Sequence, residues 1–136
     1  MIPETHILVQ YRLDRAREAL TEAGLLLDSG HANTGVNRLY YACFYAVSAL
    51  LLTKGLTATS HSRLRTLFHQ HVIRPGLLAL GQGPLSDRLF DQRQRSNYTD
   101  LGYFSVNEVR AWSMEAQAFV DAVAVLLQQA LAAPLP

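Results

Sequence analysis

Guanidinium groups offer this chain most of its possible chemistry. Arg93 and Arg95 close a stretch, Lys54 to Arg95, that holds seven basic residues against two acids, a balance of +5. The rest of the chain holds five basic residues against nine acids, or −4, so the formal net charge of +1 hides a strong internal asymmetry. Such a middle segment either faces an anionic partner or is simply an uneven solvated surface. A guanidinium in a cleft can grip a phosphate, or steady the negative charge that builds on phosphorus in a transition state. The competing role for Arg93 is an ion pair with Asp91 or Asp100. Residues two apart on a helix point to different sides, so at most one of Arg93 and Arg95 faces a cleft.

Imidazoles come next. His61 lies between Ser60 and Ser62. Its ring could do acid–base work near neutral pH, or serve only a turn or capping hydrogen bond. His69 and His71 do not share a helical face, Cys43 is the single cysteine, and no His-Glu-x-x-His pattern occurs, so no metal centre is expected. Gly81-Gln82-Gly83-Pro84 lacks the third glycine and the lysine of a phosphate loop, and no cofactor is expected. Arg38, beside Leu39, Tyr40 and Tyr41, is costly to bury unless paired, so it should hold two helices together or meet an anion. Tyr41, Tyr45, Tyr98 and Tyr103 could stack on bases, or pack in the core or at a subunit interface.

Helices must position these groups. Val9, Leu13, Ala16, Leu20, Ala23 and Leu27 recur in alternating steps of four and three, and Asp28-Ser29-Gly30 ends that run. A second stripe, Val36, Tyr40, Cys43, Val47 and Leu50, stops at Gly55. It carries an aromatic and polar face beside it, as expected of a central helix or one that also meets a partner subunit. Thr59 or Ser60 can cap a third helix that Pro75-Gly76 terminates, and a fourth begins near Ser86. Ser105 and Glu108 form a capping-box pattern ahead of Val109, Trp112, Ala116, Phe119, Val123, Leu126 and Ala130. No period-two run suggests a strand. The expected fold is all-α, an up-and-down antiparallel bundle of four to five helices in a single domain over residues 1–136, with its core at about residues 5–130. The uncharged run Leu39 to Thr53 falls short of the roughly 20 residues of a membrane span, and the N-terminus lacks signal-peptide character, so a cytoplasmic protein is expected.

Three strings, NRLYYACFYAVSALLLTKG (Asn37 to Gly55), TSHSRLRTLFHQHVI (Thr59 to Ile73) and LFDQRQRSNYTDLGYFSVNEV (Leu89 to Val109), resemble in order and spacing a bacterial and archaeal branch of the HEPN domain family. The resemblance covers about residues 5–130. It implies a dimerising helical bundle with a signature arginine lining a cleft between or beside the subunits. Many family members adjoin a minimal nucleotidyltransferase in toxin–antitoxin pairs, and the catalytic ones are metal-independent endoribonucleases that use Arg, then four to six residues, then His.

Arg93, Asn97 and Tyr98 match the family's Arg-x-x-x-Asp-Tyr signature, with Asn in place of Asp, and no His stands four to six residues after Arg93 or Arg95. Arg63 with His69, and Arg65 with His71, have the literal Arg–His spacing but lie in the third helix. The resemblance therefore implies a homodimer that binds RNA or a nucleotidyltransferase partner without full ribonuclease activity. The alternatives are a ribonuclease toxin, with His61 or Tyr98 in place of the missing His, or a scaffold bundle. Candidate site residues are Arg93, Asn97, Tyr98 and His61, with Arg95, Arg38 and Arg63 as further RNA- or anion-binding groups.

Overall fold

A computed structural model describes the backbone of residues 2–78, 84–98 and 104–132, and the side chains of all of these except 96–98. Among the described residues five α-helices follow in order: α1 (Pro3–Asp28), α2 (Ala32–Leu52), α3 (His61–Phe68), α4 (Leu85–Tyr98) and α5 (Val106–Ala132). A π-helical turn, His69–Ile73, continues α3. None of the described helices is long and apolar enough to cross a membrane.

The long helices pack because their stripes are apolar and narrow. Pro3, whose fixed φ suits the first helical turn, starts α1, and every residue of its expected stripe is buried, with Ala19 added. Its neighbour α2 buries Ala42, Ala46 and Ala49. Small side chains on both helices let the backbones approach closely, and the α1–α2 interface is the most extensive in the molecule. Only Ser29, Gly30 and His31 join the two, so they run antiparallel. The turn works because Gly30 adopts φ 81°, a left-handed conformation without a Cβ penalty. Its N–H reaches the Leu27 carbonyl at 3.0 Å, and the His31 N–H reaches that of Leu26 at 2.8 Å. That pair of bonds is the Schellman termination, and Gly55 and Gly76 end their helices with the same pair.

Helix α2 is central. It packs against α1, α3, α4 and α5, and buries fourteen residues, including Leu39, Tyr40, Cys43 and Val47. Burial pushes the Cys43 thiol well above its ordinary value. Ser60 caps α3 by accepting from the Arg63 N–H at 3.1 Å. Ser105 accepts from the Glu108 N–H at 3.1 Å, which is one half of the expected capping box; the return bond from Glu108 is not made.

In α5 the expected stripe holds for Val109, Ala116, Phe119 and Val123. Beyond them the core face moves to Val120, Ala124 and Leu127, while Leu126 and Ala130 are only half-buried. A straight helix of 3.6 residues per turn drifts about 20° per heptad from a strict three-four pattern, so the tail of that pattern rotates off the core. Fully buried, Phe119 meets Phe68 edge-on at 6.0 Å, tying α5 to the end of α3. Replacing Phe119 with Ala should cost about 3–5 kcal/mol, read as a lower urea midpoint at unchanged m-value.

Candidate functional site

Asn37, Tyr40, Tyr41 and Phe44 stand at i, i+3, i+4 and i+7 on α2 and so share one face. His61, the first residue of α3, and Phe90 and Arg93, one turn apart on α4, close over that face. The His61 ring lies 5.4 Å from Tyr40, 5.1 Å from Phe44 and 6.0 Å from Phe90, centroid to centroid.

The Tyr40 hydroxyl sits 2.5 Å from His61 Nδ1. A phenol exposed to only 2% must give its proton to an acceptor, and among the described residues Nδ1 is the one within reach. Tyr40 therefore donates, and His61 carries its own proton on Nε2. Burial pushes the Tyr40 hydroxyl above its usual value of 10.0, against the opposing pull of Arg93. Burial first, and the Arg93 charge second, lower His61 below its ordinary 6.5, so the imidazole is neutral at pH 7.

Arg93 is half-buried rather than solvated. Its Nε donates to Asn37 Oδ1 at 3.1 Å, and its guanidinium carbon lies 5.4 Å from the ring centres of both Tyr40 and Tyr41. Arg38 lies 5.1 Å from the Tyr41 ring and 3.9 Å from Glu22 on α1, so it bridges two helices as its apolar setting demands. Tyr41 thus meets two guanidiniums, and each such contact is worth roughly 0.5–2 kcal/mol.

The other candidates lie apart. Arg95 is exposed, bonds Gln92 at 3.0 Å and stacks over Phe104 at 5.5 Å, so it does not join Arg93. Arg63 is exposed on α3. The side chains of Asn97 and Tyr98, with Asp100 and Tyr103, lie outside the described residues. Neither Arg–His pair of α3 converges as spaced. Instead Arg65 and His69, four apart, both meet Asp87 of α4 at 2.9 Å. Among the described residues no three His, Cys, Asp or Glu side chains gather as metal ligands would.

Sequence reasoning missed the Tyr40–His61 bond and the role of Asn37. A signal for the first existed: a tyrosine in an otherwise aliphatic stripe needs a partner for its hydroxyl.

Comparison with known proteins identifies a family for the chain as a whole. The family model described as HEPN domain matches residues 9–127. A Thermotoga maritima protein named "UPF0332 protein" is 37% identical over 125 residues, 92% of this chain and 95% of the relative. A Methanocaldococcus jannaschii protein named "Putative toxin" is 28% identical over 123 residues, 90% of this chain and 91% of the relative. A Gloeobacter violaceus "UPF0332 protein" is 39% identical over 80 residues, 59% and 60% of the two chains.

The lowered His61 fixes a pH dependence. Between its lowered value and 6.5 the folded chain binds fewer protons than the unfolded one, so stability rises with pH there. Its contribution is complete above 6.5 and is lost as pH falls through the lowered value. In an NMR titration the imidazole should turn over below 6.5, and Arg93→Ala should raise it without passing 6.5, because burial, the larger cause, stays.

Proposed function

This chain belongs to the HEPN domain family, and on that footing we propose that it is the RNA-binding helical module of a toxin–antitoxin type system, working as a homodimer. Its partner in that reading is a minimal nucleotidyltransferase. The observation that carries the proposal is the seat of Arg93: a guanidinium held on Asn37 and across two tyrosine rings, beside a neutral imidazole. Such a guanidinium is prepaid in orientation, so little freedom is lost when it takes a phosphate. Tyr41 presents a partly exposed ring beside that guanidinium. The relatives named as toxins support a toxin-type role. Asn97 and Tyr98, one turn beyond Arg93 along α4, complete the polar cluster in this reading.

A second reading has its own support. His61 and Arg93 meet on Tyr40, although they are far apart in sequence. In a metal-independent ribonuclease, His61 would take the proton from the attacking ribose hydroxyl and Arg93 would stabilise the charge gathering on phosphorus. The Tyr40 hydroxyl donates to the Nδ1 lone pair, so proton uptake by His61 would break that bond. This opposes a base role and favours binding.

Mixed tRNA and mRNA incubated with the purified protein, with and without EDTA, separates the readings. Binding without cleavage, steeply weakened by salt and reduced roughly tenfold or more by Arg93→Ala, is the expected result. Cleavage that survives EDTA and vanishes in Arg93→Ala and His61→Gln establishes the enzyme. Neither binding nor cleavage leaves a scaffold bundle.

A further inference from the structure

One side of α3 holds an open groove of about 410 Å³, lined by Ser62, Arg65, Thr66, His69, Gln70 and Arg74. These positions run at i, i+3, i+4, i+7, i+8 and i+12, one stripe down α3 and its π-helical turn. The lining is polar and carries two guanidiniums and no carboxylate.

Its donors are held ready. Asp87 accepts from Arg65 Nε at 2.9 Å and, being a carboxylate, from His69 Nε2 at 2.9 Å. The Arg65 guanidinium also lies 4.9 Å from the centre of Phe90. One face of the guanidinium is thus packed and its Nε engaged, which fixes the remaining N–H groups in direction. Thr66 gives its hydroxyl proton to the Ser62 carbonyl. Among the described residues the side chains of Arg74 and Gln70 and the Ser62 hydroxyl make no hydrogen bond, and Arg74 is exposed. A groove with two cations, an amide and a hydroxyl, and with its one neighbouring acid already spent on Arg65 and His69, fits a phosphate group. The C-terminal end of α3 disfavours an anion, but the stripe runs along the helix side, and two charged hydrogen-bond donors outweigh that.

We infer that this groove is a phosphate-binding site separate from the Arg93 cluster. Phe90 links the two: it stacks under Arg65 on one side and meets Tyr40 edge-on at 5.5 Å on the other. That the phosphate comes from an RNA backbone crossing from one site to the other rests on the function proposed above. A free nucleotide or inorganic phosphate would use the same chemistry.

The test follows backbone amide shifts of the full chain titrated at low salt with inorganic phosphate and, separately, with a short single-stranded RNA. Phosphate should move the amides of Ser62, Thr66 and Gln70 saturably, and Arg74→Gln should weaken that binding roughly tenfold. With RNA the same amides should move, and Arg74→Gln should reduce the salt slope of binding by about 0.7. Groove shifts that are absent, or unchanged in Arg74→Gln, overturn the inference, even where RNA binds and depends on Arg93. Phosphate binding in the groove with no RNA binding supports the site and removes the RNA reading.

Discussion

A phenol hydroxyl buried in an apolar bundle has to find an acceptor, and in this molecule that requirement organises the whole site. Tyr40 occupies a core position of the most buried helix, so its ring is fixed by packing on every side. Its proton goes to His61, which anchors the first residue of α3 against α2. The same ring supplies one wall for the Arg93 guanidinium and meets Phe90, which brings α4 to the same place. An unmet donor at this depth would cost about 1–3 kcal/mol. The hydroxyl thus ties the start of one helix and the middle of another to the central one, and the polar site is a by-product of satisfying the core.

The three arginines around this aromatic group show how the positive middle of the chain is spent. Arg65 stacks on Phe90, Arg93 on Tyr40 and Tyr41, and Arg38 also on Tyr41. Each guanidinium is fixed by a polar partner as well: Asp87, Asn37 and Glu22 respectively. Two of those partners are carboxylates and the third is a neutral amide.

Much of the bundle was legible because helical packing writes itself into spacing. The stripes of α1 and α2 and the glycine that ends each lie in local sequence, and local sequence decides them. The site was legible only through resemblance, which singled out Arg93 but not what holds it. Asn37 lies 56 residues before Arg93 in sequence, and Asp87 lies 22 after Arg65, so no periodicity could pair them. The literal Arg–His spacings of α3 do not converge for a plain geometric reason: six positions rotate two side chains apart, whereas four bring Arg65 and His69 to one face. Nothing in the residues of His69–Ile73 announced the wide turn there, since it depends on how α3 must meet the rest of the core.

Cys43 sits at the centre of α2 with no exposed surface, and burial suppresses the thiolate that electrophiles attack. The chain holds one sulfhydryl and has placed it where water does not reach. A thiol-directed reagent can therefore modify it only when α2 parts from its neighbours, and the modification rate becomes a built-in clock for that opening. The bundle carries its own reporter of breathing, one that needs no introduced label and that any ligand bridging α2 and α4 would slow.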